Sequence, residues 1–116
     1  MGNYTDALKS FDKALDIKPN YLNALIGKGL ALDELGRYQE AIGYYDKVLA
    51  IEPNRTDALY NKGVALSGLG KYDDAITYYD KVLAIEPNAT DALYNKDLAV
   101  EHFICTWKFH VISCSK

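Results

Sequence analysis

The chain has 116 residues, 49% hydrophobic and 25% charged, enough for one modest core and ordinary for a folded protein. Its 13 basic and 16 acidic residues leave a net charge of -3. That balance disfavours nucleic acid as a partner, because phosphate binding needs clustered lysine and arginine.

The opening segment, MGNYTDALKSFDKALDIKPN, is polar and periodic, without the apolar stretch of a secretory signal. Tyr4, Leu8, Phe11 and Leu15 recur at helical steps and predict a helix that no earlier helix covers. Such an uncovered end favours self-association, since stacked repeats normally carry polar caps. No run approaches the roughly 18 apolar residues needed to span a bilayer, so no membrane partner is expected.

From residue 10 onward the chain repeats itself. Pro19, Pro53 and Pro87 stand 34 residues apart, each followed by asparagine. The stretch YYDKVLAIEPN occurs at 44–54 and again at 78–88, and residues 22–55 share 22 of 34 positions with 56–89. The chain therefore divides into a half unit at 1–21, whole units at 22–55 and 56–89, and the first helix of a fourth unit at 90–103. Residues 104–116 form a divergent hydrophobic tail.

Each whole unit predicts two helices. Ala24, Leu25, Lys28, Ala31, Leu32 and Leu35 mark the first stripe, and Tyr38, Ala41, Ile42, Tyr45, Val48 and Leu49 the second. Gly36 and Gly70 fall where a helix end wants a residue tolerant of positive φ. Proline in "EPN" stops the second helix by excluding helical backbone from the residue before it. Thr56 and Thr90 are expected N-caps. Gly29 and Gly63, costly inside a helix, predict that another backbone passes close by. The tyrosine stripe of Tyr38, Tyr45, Tyr72 and Tyr79 reads as core.

The period and its fixed residues resemble the tetratricopeptide repeat, W-x2-L-G-x2-Y…A-x3-F…P. The matching residues are Leu25, Lys28, Gly29, Leu32, Ala41, Tyr45 and Pro53, then Leu59, Lys62, Gly63, Leu66, Ala75, Tyr79 and Pro87. Ala7, Phe11 and Pro19 supply the preceding half unit. The resemblance implies an all-α, right-handed superhelical solenoid of about six helices. Its concave wall would be lined by the first helix of each unit and would capture a peptide or partner helix. The inward-facing residues are then Asn23, Ile26, Gly27, Leu30 and Asp33, followed by Asp57, Tyr60, Asn61, Val64 and Ser67, and by Asp91, Tyr94, Asn95 and Leu98.

Family members that hold chaperone C-termini use a clamp of lysines, arginine and asparagines. Only Asn61 fits that clamp; Ile26, Leu30, Asp91 and Asn95 occupy its other places without a cation. With Asp33, Asp57 and Asp91 as the groove's charges, the expected partner is an apolar or basic protein segment. The alternative is a structural self-association element with no ligand of its own.

The repeat pattern breaks after Phe103, and Asp97 replaces the glycine of the earlier units. The helix from 90 is therefore expected to end near 103, with the rest either extending it, folding back over the open end or being foreign sequence. The spacing His102-x2-Cys105-x4-His110-x3-Cys114 offers four soft ligands. No glycine turns that loop, however, and Trp107, Phe109, Val111 and Ile112 read as packing. A hydrophobic tail with two free thiols in a reducing cytosol is the expectation, with no metal or other cofactor. No Ser/His/Asp order or phosphate loop stands outside the repeat pattern, which disfavours an enzyme.

Overall fold

The computed structural model describes residues 3–108. Six helices follow in order: α1 (Tyr4–Ile17), α2 (Leu22–Glu34), α3 (Tyr38–Ile51), α4 (Thr56–Gly68), α5 (Tyr72–Ile85) and α6 (Thr90–Lys108). The fold is all-α, as the apolar stripes of period 3.6 require. Each helix packs on the next along the chain, α2 also touches α4, and α4 touches α6. The result is an elongated stack with extents of 49 × 31 × 20 Å.

Two turn chemistries alternate and set the stacking direction. The turn from α2 to α3 is closed by Gly36 at φ 77°, with its N–H bonded to the Asp33 carbonyl at 2.9 Å and the Arg37 N–H to the Leu32 carbonyl at 2.8 Å. This pair of bonds satisfies carbonyls that the helix end leaves open, and the positive φ makes glycine the residue of least strain. Gly70, at φ 80°, closes the turn from α4 to α5 with the same two bonds one repeat later. So short a connection forces the two helices to run antiparallel. The other turn is made by proline. Lys18, Glu52 and Glu86 leave the helical region at φ -136°, -126° and -127°, each immediately before Pro19, Pro53 or Pro87.

The core lies between the helix layers, and aromatic rings define it. Tyr45 and Tyr79 are 0% and 1% exposed, in one cluster with Leu32, Ala41, Ala65, Leu66, Ala75 and Ala99. Tyr38 and Tyr72 pack against its edge. Gly29 and Gly63 give these rings their room: an added methyl group at Gly29 would lie 2.8 Å from Tyr45 Cζ, and one at Gly63 2.6 Å from Tyr79 Cε1. The close neighbour is thus a ring from the second helix of the same unit, and not the passing backbone expected from the sequence. A tyrosine ring laid flat on a helix needs the missing Cβ as much as a crossing backbone does.

Three further expectations change. Thr56 does not cap α4; it is the first helical residue, Arg55 precedes it without a side-chain cap, and the Thr56 hydroxyl donates to Glu86 at 3.1 Å. Thr90 likewise begins α6, after Ala89, whose carbonyl accepts from Leu93 N–H at 3.0 Å. Helix α6 runs on to Lys108, so residues 104–108 continue it, where the sequence ended the helix near 103. Residues 109–116 lie outside the described residues.

Gly43 sits on the exposed face of α3 with nothing within 4 Å of an added Cβ. Gly43→Ala is therefore expected to stabilise the fold by about 0.5–1 kcal/mol. Gly63→Ala is expected to destabilise it by about 1–2 kcal/mol, because overpacking against the buried Tyr79 ring outweighs the same helical gain. Urea unfolding of the two variants checks both signs; a stabilised Gly63→Ala would contradict the packing described.

Candidate peptide-binding groove

Because α2 touches α4 and α4 touches α6, these three helices form one continuous wall. They carry the residues expected from the sequence, but the structure divides those residues into two groups. Leu30, Tyr94 and Leu98 are 43%, 65% and 37% exposed. Asn23, Asp57 and Asp91 also reach solvent, and Asn61, Val64 and Asn95 are half-buried.

Ile26 and Gly27 do not face a groove. Ile26 is buried with Leu25, Val48 and Ala58, and Gly27 is covered by the Phe11 ring of α1. The physical reason is size and polarity. An isoleucine side chain fits wholly between helices, whereas Tyr60, its counterpart 34 residues on, reaches a partner with its hydroxyl. Asn95 Nδ2 donates to Tyr60 Oη at 2.7 Å and to the Asp91 carbonyl at 2.9 Å. The Tyr60 ring lies 5.9 Å from that of Tyr79. Tyr60 and Asn95 thereby tie α4 to α6 across the unit boundary.

Asp33 also makes a contact within the fold. It is half-buried, accepts a 2.8 Å hydrogen bond from the Tyr45 hydroxyl on Oδ2, and its buried Oδ1 has no hydrogen-bond partner. Burial lifts its pKa to about 6, against the opposing pull of the Tyr45 bond. Desolvation and the same bond push the Tyr45 phenol upward. One unit later Ser67 takes this position, its hydroxyl 3.3 Å from that of Tyr79.

A cation does stand at the wall, and sequence reasoning passed over it because it lies in the turn before α4. Arg55 Nε donates to Asp57 Oδ1 at 3.0 Å, and its Nη2 donates to Asn23 Oδ1 at 2.6 Å. The 34-residue period held the signal: positions 21, 55 and 89 carry tyrosine, arginine and alanine.

The lysines have a separate duty. Lys62 pairs with Asp46 at 2.6 Å and Lys96 with Asp80 at 2.7 Å, and Lys28 pairs with Asp12. Each bond joins a first helix to the second helix before it. Lys28 and Lys62 also lie 4.6 and 4.5 Å from the ring centres of Tyr44 and Tyr78. Such a ladder holds repeats together and leaves these ammonium groups already paired.

Among the described residues no group of three or more His, Cys, Asp or Glu is close enough to hold a metal ion. Cys105 is disulfide-bonded, contrary to the expected free thiols, and a disulfide sulfur is not a thiolate ligand. The His102 ring stacks on Tyr72 at 4.9 Å between centres. His110 and Cys114 lie outside the described residues. Among the described residues no helix is long and apolar enough to cross a membrane.

Models of the tetratricopeptide repeat match residues 1–58 and 56–89, the first alone spanning half of the chain. The chain belongs to the tetratricopeptide repeat family. No curated protein matches it significantly. Among solved structures, the first repeat domain of Spaghetti (RPAP3) bound to the HSP90 peptide SRMEEVD superposes with a TM-score of 0.82 at 23% identity, covering 86% of this chain and 79% of that one. The Sgt2 domain from Aspergillus fumigatus gives 0.85 at 17% identity, covering 97% and 76%. MamA (41-end) from Desulfovibrio magneticus RS-1 gives 0.72 at 25% identity, covering 92% and 66%. These likenesses establish the fold of the tetratricopeptide array.

The raised pKa of Asp33 has a defined consequence. A carboxyl raised on folding contributes stability below its unfolded value, near 3.8, and loses it as pH rises through about 6. Asp33→Ser, which copies Ser67, removes that dependence. The melting temperature of the variant minus that of the parent is expected to fall as pH is lowered from 7 through about 6 towards 4. Thermal melts across that range check it; a difference that stays flat would refute the burial of this carboxyl.

Proposed function

We propose that this tetratricopeptide array is a protein-interaction module that captures an apolar or basic peptide segment along α2, α4 and α6. The observation that carries this reading is the presence, on one wall, of exposed apolar side chains together with exposed acid. Leu30, Tyr94 and Leu98 present apolar surface; Asp57, bonded to Arg55, and Asp91 are exposed on the same helices. Rings and aliphatic groups supply contact area with little entropy loss, and the carboxylates select the sign of the partner's charge.

The Spaghetti domain was solved with an acidic peptide, SRMEEVD. This chain is expected to prefer the opposite charge. The clamp places of chaperone-binding relatives are held here by Ile26, Leu30, Asn61, Asp91 and Asn95, and Ile26 is buried. The lysines nearest the wall are engaged with Asp12, Asp46 and Asp80.

Peptide display against the purified chain tests the proposal. The selected sequences should be rich in lysine, arginine and aliphatic residues. Replacing both Tyr94 and Leu98 by alanine should weaken the best of them by about tenfold or more. These side chains are exposed, so the fold should survive the change. Selection of acidic peptides, or affinity unaltered in the double variant, would remove the groove from consideration.

A further inference from the structure

One repeat joint is filled by an arginine and the next, built from equivalent residues, is open. At the joint between α3 and α4, the Arg55 guanidinium bonds Asn23, Glu52 and Asp57, and its side chain is 25% exposed. Moving every residue on by 34 gives Asp57, Glu86 and Asp91 around Ala89. These four residues line one cavity of about 390 Å³ at the joint between α5 and α6, together with Tyr60 and Val82.

The geometry points to this cavity as a socket for an arginine side chain supplied by the partner, a subsite of the groove proposed above and resting on that reading. The chain itself shows what the joint holds: equivalent positions one unit earlier already ligate a guanidinium. At the open joint the receiving set is more acidic, since Asn23 is replaced by Asp57. Asp57 remains bonded to Arg55, so Glu86 and Asp91 carry the uncompensated charge for an incoming cation.

Glu86 is held in place by the 3.1 Å bond from the Thr56 hydroxyl. Leucine stands at the corresponding position 22 in the earlier unit, so this orienting bond belongs to the open joint. Tyr60 lines the cavity, and an aromatic ring takes a planar guanidinium better than an ammonium. Among the described residues no group of three or more His, Cys, Asp or Glu is close enough to hold a metal ion. A broad planar cation can span separated carboxylates, as the Arg55 guanidinium does one unit earlier.

The test uses N-acetyl-arginine amide and its uncharged isostere, N-acetyl-citrulline amide, titrated into the full chain and followed by amide NMR shifts. The arginine probe should move resonances of residues 86–92, with the citrulline probe at least about tenfold weaker. Added salt should weaken the arginine probe. Ala89→Arg, which fills the socket from within, should abolish the response, and Glu86→Gln should reduce it while circular dichroism shows an intact helical fold. Equal shifts with citrulline, shifts that survive Ala89→Arg, or no shifts at all would overturn the socket. The probe is no larger than one side chain. A positive titration therefore upholds the socket even where display selects no peptide, and a negative one removes it even where display succeeds.

Discussion

A tyrosine ring seated on a glycine is the joint on which the rest of this structure depends. Tyr45 rests on Gly29 and Tyr79 on Gly63, both rings essentially excluded from solvent. Neither half works alone. A larger residue in place of glycine holds the helices apart, and a smaller side chain in place of tyrosine leaves a cavity at the centre of the core. The hydroxyl at the rim of each ring adds a polar anchor, to Asp33 in one unit and Ser67 in the next. Related contacts work between units: Phe11 lies on Gly27, Tyr38 on Gly68, and Tyr72 stacks on His102 where a glycine no longer stands.

With the joint fixed, the remaining positions are released for other work. Residues identical between units, such as YYDKVLAIEPN, make the helix pair and its lysine–aspartate ladder. Some of the residues that change between units lie on the wall or at its edge: Tyr60 and Tyr94 at one position, where the first unit buries Ile26, and Tyr21, Arg55 and Ala89 at another. Recognition is therefore expected where the repeat departs from itself. The departure from Arg55 to Ala89 both removes an internal ligand and leaves its acidic surroundings in place.

Much of the architecture was legible in the sequence because it rests on local rules. A fixed period, proline before the helix start and glycine after the helix end all act within a few residues, and the helix ends at the glycine and proline turns followed from them. What escaped depended on the third dimension. Ile26 and Tyr60 occupy the same helical position, and only packing separates a side chain short enough to be buried from one long enough to reach Asn95. Asp33 reads as a surface charge until Tyr45 is placed over it. Arg55 lies in a turn, outside the helical pattern used to find the wall. Thr56 has the chemistry of a cap, but helix α4 begins one residue too early for it to serve as one. Helix α6 outlasts the repeat pattern, since loss of consensus does not by itself stop a helix that meets neither proline nor glycine.

The joint itself can be observed without any mutation. In a proton NOE spectrum of the folded chain, the ring protons of Tyr45 and Tyr79 should show strong cross-peaks to the α-protons of Gly29 and Gly63 respectively. Those α-protons should also be shifted upfield by the ring currents. Cross-peaks to neither glycine, with α-proton shifts at ordinary helical values, would mean that the rings lie elsewhere and that the stacked wall described here is not the one the chain forms.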